Sequence, residues 1–215
     1  MTYLEIVNGV LRRIREDEVS TVNETTYSKM IGDFVNDAKK LVETAWDWSG
    51  LRVTTTVPTV AGTHVYSIVN SKDTYKDLMI VNDTSNLFLE YRPKVWFEEQ
   101  YNINTPISGV PQYYTFAGLD ANGDTQIDVY PKPDGVYSLR ITGVIRDDLL
   151  VNDVDELNIP YMPVVHLTIA LAARERGETG GTSTPEYFAI ADKYLSDAIA
   201  LDAAKHPEET IWYTP

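Results

Sequence analysis

The stretch TVNETTYSKMIGDFVNDAKKLVETAWDWS, residues 21–49, decides how the rest of the chain is read. Its apolar residues Tyr27, Ile31, Phe34, Ala38, Leu41, Ala45 and Trp48 are separated by steps of 4, 3, 4, 3, 4 and 3. That spacing puts them on one face of a long helix, while Ser28, Lys29, Asp33, Asp37, Lys40 and Glu43 fall largely elsewhere. Met30, Val35, Val42 and Trp46 widen the stripe, which suits a globular bundle better than a two-stranded coiled coil. Such a helix is marginal alone in water, so other helices must cover it.

Three segments offer that cover. Thr2 and Glu5 have capping-box spacing, and Tyr3, Ile6, Val10 and Ile14 follow at helical intervals. Arg12, Arg13 and Arg15 suit the C-terminal end of this first helix as a solvated, dipole-matched face, or as a meeting point for phosphate or an acidic partner. Thr21 and Glu24 repeat the capping pattern, so the second helix is expected to start there and to end at Ser49-Gly50 with Gly50 as a left-handed cap. Trp46 and Trp48 cannot share one face, so one is expected in the bundle and the other against the following strands or a neighbour. Towards the other end, Val164 to Ala173 is almost wholly apolar and carries His166, expected as a buried, hydrogen-bonded histidine. A last helix follows Ser183–Pro185, with Phe188, Ala191, Leu195 and Ala198 in one stripe, and closes at His206-Pro207.

Between the helical pairs the period changes to 2. Leu51, Val53, Thr55 and Val57 alternate with Arg52, Thr54 and Thr56. His64 to Val69 is a second strand, and Leu78–Val81 with Leu87–Tyr91 a hairpin. Pro93 opens a short helix to Tyr101, and the strands 112–117, 126–130 and 136–145 follow as an antiparallel meander, with Gly143 marking a bulge or a close backbone approach. The expected class is α+β: a four-helix bundle, residues 1–50 and 159–207, with an inserted antiparallel β-sandwich or sheet, residues 51–158, that carries one short helix near 93–101.

A chain of 215 residues with 43% apolar residues has the material for a folded core. Its net charge of -14 excludes a duplex-DNA clamp, which needs surplus cations to displace phosphate counterions. With no cysteine there is no disulfide, thiolate nucleophile or Cys-ligated zinc. No run long and apolar enough for a membrane span or signal segment occurs. There is no phosphate loop, nucleophile elbow or His-Glu-x-x-His, and His64, His166 and His206 lie in different elements. Asp120 to Asp128 alternates like a calcium loop, but Thr125 and Pro131 stand where Gly and Glu are required, and Asn122-Gly123 reads better as a hairpin turn. No catalytic residue, cofactor or metal is therefore expected. The terminal segment 208–215 carries Ile211, Trp212 and Tyr213, which must tuck onto their own domain or dock into another protein.

The layout resembles the head-to-tail adaptor proteins of tailed bacteriophages, the group that includes the tail tubular A type. The likeness rests on the second helix ending Ala45-Trp46-Asp47-Trp48-Ser49, on the strand-turn-strand Val57 to Ile68, and on Gly109-Val110-Pro111-Gln112-Tyr113-Tyr114. It continues through Ile127 to Gly135, Ile159-Pro160-Tyr161-Met162-Pro163 and the small-residue helix running to Arg176-Gly177-Glu178. The resemblance implies a non-enzymatic virion protein of the neck, assembled in the host cytoplasm as a ring of typically twelve copies under the portal. It implies that the ring extends the DNA channel for transient passage of duplex DNA and offers a docking surface to a tail or nozzle protein. By the same likeness Ile211, Trp212 and Tyr213 dock on the portal, and Trp48 and Trp96 are candidate subunit or tail contacts. The rival expectation is a carbohydrate-binding or tail-accessory module, since the middle region is rich in tyrosine; a pocket lined by aromatics would favour it.

Overall fold

The computed structural model describes residues 1–71, 76–177 and 183–205. The class is α+β, with five α-helices among the described residues and both antiparallel and parallel strand pairs. The chain divides into two compact units, one made of Met1–Leu51 and the chain from Asp147 onward, the other of Arg52–Arg146. The acidic link after residue 146, placed by sequence with the inserted strands, thus belongs to the helical unit.

Helix α1 (Tyr3–Arg13) opens as its sequence dictates. Thr2 Oγ1 accepts the Glu5 N–H and Glu5 Oε2 accepts the Thr2 N–H, a reciprocal capping box. Ile6, Val7, Val10 and Leu11 form its buried face. Helix α2 (Thr26–Ala45) is shorter at both ends than its pattern predicts. The working box is Thr25 with Ser28, four residues beyond the expected one, because Val22 turns into the core and its N–H donates to Asp153 Oδ1 at 3.0 Å. At the other end Trp46 is already extended, and Gly50 sits in a 3-10 turn (Ser49–Leu51) without a left-handed conformation.

The face that α2 buries is also turned from the expected one. Val35 and Val42 are central to it, Leu41 and Ala45 are exposed, and Lys39 and Glu43 are buried. Gly32 lets α1 and α2 approach closely. A Cβ there would overlap the Tyr3 hydroxyl and lie 2.9 Å from Val22 Cγ1. Burial, with Asp33 and Asp153 nearby, pushes the Tyr3 phenol up to about 12. Between an ordinary phenol pKa of about 10 and that value, the folded chain holds a proton that the unfolded chain releases. Tyr3 therefore contributes stability that is complete below pH 10 and lost as pH climbs towards 12. Phenolate absorbance should show tyrosines titrating late, and a Tyr3→Phe variant should lose one tyrosine's share of that late rise.

Helix α4 (Tyr161–Glu175) packs against α1, α2 and α5 (Ser183–Ala203), which brings helices from both chain ends together around it. Its buried Val164, Val165, Ile169, Ala170 and Ala172 explain the nearly continuous apolar run. Gly177 ends it at φ 72°. His166 is not the hydrogen-bonded core histidine expected; it is half-buried and stacks on Tyr194 with centroids 4.3 Å apart.

The second unit contains two four-stranded sheets. One is ordered β1 (Arg52–Pro58), β10 (Ser138–Val144), β3 (Lys76–Asn82), β4 (Leu87–Phe88). The other is ordered β2 (Val65–Ser67), β8 (Thr125–Tyr130), β7 (Tyr113–Leu119), β5 (Glu90–Tyr91). A short parallel pair joins β6 (Ser108–Gly109) to β9 (Lys132–Pro133). The expected meander holds only for β7 and β8. Strand β10 leaves them and enters the other sheet between β1 and β3, and β5 runs parallel to β7. Ile80, Leu139 and Ile141 from one sheet and Tyr66, Tyr114, Ile127 and Val129 from the other share a single core. The register of β10 against β3 shifts at Thr142/Gly143, the bulge that Gly143 signalled. In the β7–β8 turn, Asp120 Oδ1 accepts the N–H groups of Asn122 and Asp124 at 2.8 and 3.0 Å, so this carboxylate shapes a turn.

Candidate assembly surface

Three exposed aliphatic residues of the helical unit lie close together on the link 147–158. Its backbone is held from three sides. From α2, Lys39 Nζ donates to the carbonyls of Asp147 and Asp148, both at 2.9 Å. One turn earlier, Asn36 clasps Leu150 as a peptide would: its amide donates to the Leu150 carbonyl at 3.0 Å and its oxygen accepts the Leu150 N–H at 2.9 Å. From the start of α1, the N–H groups of Tyr3 and Leu4 donate to the carbonyls of Asp155 and Asp153, and Leu157 N–H donates to the Met1 carbonyl. Within the link, Asp155 Oδ2 accepts the N–H groups of Val151 and Asn152, both at 2.7 Å, which holds its carboxyl below the usual range.

Leu150, Leu157 and Ile159 point inward and are buried. Leu149, Val151 and Val154 stay 47%, 66% and 75% exposed on the same fixed backbone. Aliphatic side chains displayed on a preorganised segment lose little freedom when a partner covers them.

The pair that anchors this link was not legible from hydrophobic spacing. Lys39 Nζ lies 2.8 Å from Glu43 Oε1, and the two side chains are 0% and 1% exposed. A charged pair one turn apart reads in sequence as a solvated face, and only its burial reveals the function. Nearby, Trp48 Nε1 donates to the Val42 carbonyl at 2.7 Å, and the residue is 1% exposed. Trp48, expected as a candidate contact, is therefore core, and Trp46 is the exposed member of the pair. The turn after α2 is tied to the last helix as well: Asp202 accepts the Ser49 N–H and hydroxyl at 2.9 and 2.5 Å and the Lys205 ammonium at 3.0 Å. Burial alone would raise the Asp202 carboxyl, but the Ser49 bonds and Lys205 outweigh it and hold it low.

In the strand unit, Trp96 lies on helix α3 (Lys94–Glu98), which passes into a π-helical turn at Glu99–Ile103. Trp96 is half-buried and meets Phe97, Tyr113 and Tyr130 edge to face at 5.1–5.3 Å. The buried Asp128 carboxylate fixes this corner. It lies 2.7 Å from His64 Nδ1 and accepts from Lys94 Nζ at 3.1 Å, while Tyr101 stacks on His64 and donates to the Val129 carbonyl. Burial, with Asp128 next to it, pushes the Tyr101 phenol above its ordinary range. The rings pack against one another, which occupies faces that a sugar-binding platform would display. Asp128→Ala removes a charge-assisted partner from both His64 and Lys94. Opening of residues 94–103 should become easier by about 1.5–3 kcal/mol, on the order of ten- to a hundredfold in hydrogen exchange. Unchanged protection there would show that the aromatic packing alone holds α3.

Among the described residues no group of three or more His, Asp or Glu is placed to hold a metal ion, and no helix is long and apolar enough to cross a membrane. The segment 208–215, with Ile211, Trp212 and Tyr213, lies outside the described residues.

A family model described as SU10 adaptor protein matches residues 1–210. The chain belongs to the SU10 adaptor protein family. The match takes in both the helical unit and the inserted strands. A phage structural adaptor is a component of the virion neck. The narrower tail tubular A type, which the sequence resembles, is a finer assignment than this match carries. No curated protein matches the adaptor.

Proposed function

We propose that this adaptor assembles into a ring, of twelve copies by its resemblance to tail-tubular proteins, between the portal and the downstream tail or nozzle. The ring extends the channel through which duplex DNA passes. The adaptor performs no catalysis and contacts no membrane; it is made and assembled in the host cytoplasm. The observation that supports this reading most directly is the fixed 147–158 link with Leu149, Val151 and Val154 outward, a surface prepared for protein contact. The acidic balance of the chain suits a channel wall, since negative charge repels phosphate and lets DNA slide. In this reading Ile211, Trp212 and Tyr213 dock on the portal, and the strand unit, through the corner around Trp96, meets the tail component or a neighbouring copy.

Cutting the chain after Pro207 should leave the circular dichroism spectrum and melting of the helical unit unchanged. The same cut should lower portal recovery in a pull-down by tenfold or more. Equal recovery by full-length and shortened protein would refute the docking role of the terminal segment.

A further inference from the structure

A groove of about 520 Å³ lies within the helical unit where α1 ends. Arg13, Arg15 and Arg176 surround it, and Ile14, Ile169 and Ile190 are among its apolar lining. In a chain of net charge -14 this is a local concentration of cations. Their acidic neighbours are partly engaged: Glu16 is bonded to Arg176 at 2.5 Å, and Glu18 to Arg12 at 2.5 Å. Arg13 donates to the Gly9 carbonyl, and Arg15 projects from a left-handed backbone position at φ 63°. Burial, with Arg13 beside it, holds the neighbouring His166 imidazole below its ordinary range, so the arginines supply the positive charge.

A groove with a cationic rim and an aliphatic floor fits an acidic segment that carries aliphatic side chains. The same unit displays one. Asp147, Asp148, Asp153, Asp155 and Glu156 lie in a stretch without a single cation, and Leu149, Val151 and Val154 stand out from it. The two surfaces sit at opposite ends of α1. The link is bonded to Tyr3 and Leu4, while the groove starts at Arg13, about 15 Å further along at 1.5 Å per residue. With its backbone held by Lys39, Asn36 and the α1 start, the link cannot fold over to its own groove.

We propose that the groove of one copy receives the Asp147–Glu156 link of the next. The contact uses two unlike patches, so it runs head to tail and closes into a ring when the rotation per copy allows. Complementary charge then sets orientation and association rate, and the aliphatic side chains supply the burial. This deepens the ring reading of the adaptor and rests on it.

The absence of cysteine makes the contact directly testable in the full-length chain. Val154→Cys places a thiol on the link, and Ile190→Cys places one in the groove. The double variant, oxidised at assembling concentrations, should give a ladder of multimers on a non-reducing gel. An equimolar mixture of the two single variants should stop at dimers. Arg15→Glu should weaken assembly in sedimentation by tenfold or more. Rings seen by electron microscopy with no ladder, and with no effect of Arg15→Glu, would overturn this contact and leave the ring reading standing. A wild-type chain that stays monomeric at every concentration, and yields no ladder, would overturn both.

Discussion

Lys39→Ala should lower the stability of the helical unit by about 3–5 kcal/mol, read as a fall in the urea midpoint of its unfolding transition. The Lys39 and Glu43 side chains are 0% and 1% exposed, so removing the ammonium leaves a carboxylate in a place that water does not reach. Two further acceptors lose their donor at once, because the same Nζ serves the carbonyls of Asp147 and Asp148. Glu43→Gln should cost less, since the amide keeps an acceptor for Lys39. Lys39→Met fills the volume of the stem but not the role of its tip, so it should recover only the packing part of the loss. An unfolding free energy for Lys39→Ala within about 1 kcal/mol of wild type would mean that the pair is replaceable by water. In that case the link 147–158 would be held by Asn36 and α1 alone. The effect on assembly should exceed the effect on stability, because Leu149 and Val151 lie directly beyond the two carbonyls that Lys39 fixes.

Gly50→Ala should be nearly as damaging for a different reason. Added at Gly50, a Cβ would fall well inside van der Waals contact of the Asn158 carbonyl oxygen, and close to its carbon too. A flexible side chain could swing away; a backbone carbonyl two residues before Pro160 cannot do so without moving the start of α4. The expected loss is about 3 kcal/mol, the upper end for a forced insertion into packed surroundings. Gly50 is not in the left-handed region, so conformational strain contributes nothing and the whole effect is steric. A crystal structure of the variant should show the 3-10 turn at Ser49–Leu51 displaced from Asn158. A variant as stable as wild type, with the turn unmoved, would contradict the argument.

These two sites also mark where the sequence stops being readable. The start of α1 was legible because both partners of its capping box lie within four residues. The start of α2 was not, since Thr21–Glu24 and Thr25–Ser28 offer tandem boxes and the choice is made by Asp153, more than a hundred residues away, binding Val22. The wide stripe on α2 was real, yet two of the residues placed in it, Leu41 and Ala45, are exposed. Periodicity weighs apolar residues only, and the true face includes a lysine and a glutamate. Gly50 announced a special position, but a turn and a close approach look the same in sequence. In the strands, adjacency along the chain predicts pairing, which is right for β7 with β8 and wrong for β10. The exposed side chains Leu149, Val151 and Val154 were hidden in a stretch whose composition is dominated by its acidic residues. Of Trp48 and Trp96, the candidate subunit or tail contacts, one completes a core and the other an aromatic corner.

The hydrogen bonds between the start of α1 and the link have a bearing on how the chain comes off the ribosome. Tyr3 and Leu4 donate to Asp155 and Asp153, and Met1 accepts from Leu157, so these residues find their partners only after some 150 more residues have been synthesised. Residues 52–146, by contrast, form a continuous stretch with its own core and are free to fold as soon as they clear the exit tunnel. The nascent N-terminal helices spend that interval with apolar faces uncovered. Holding newly made chains apart until α4 arrives is thus a demand that this topology places on the cell, and slower translation before Asp147 would lengthen the exposure.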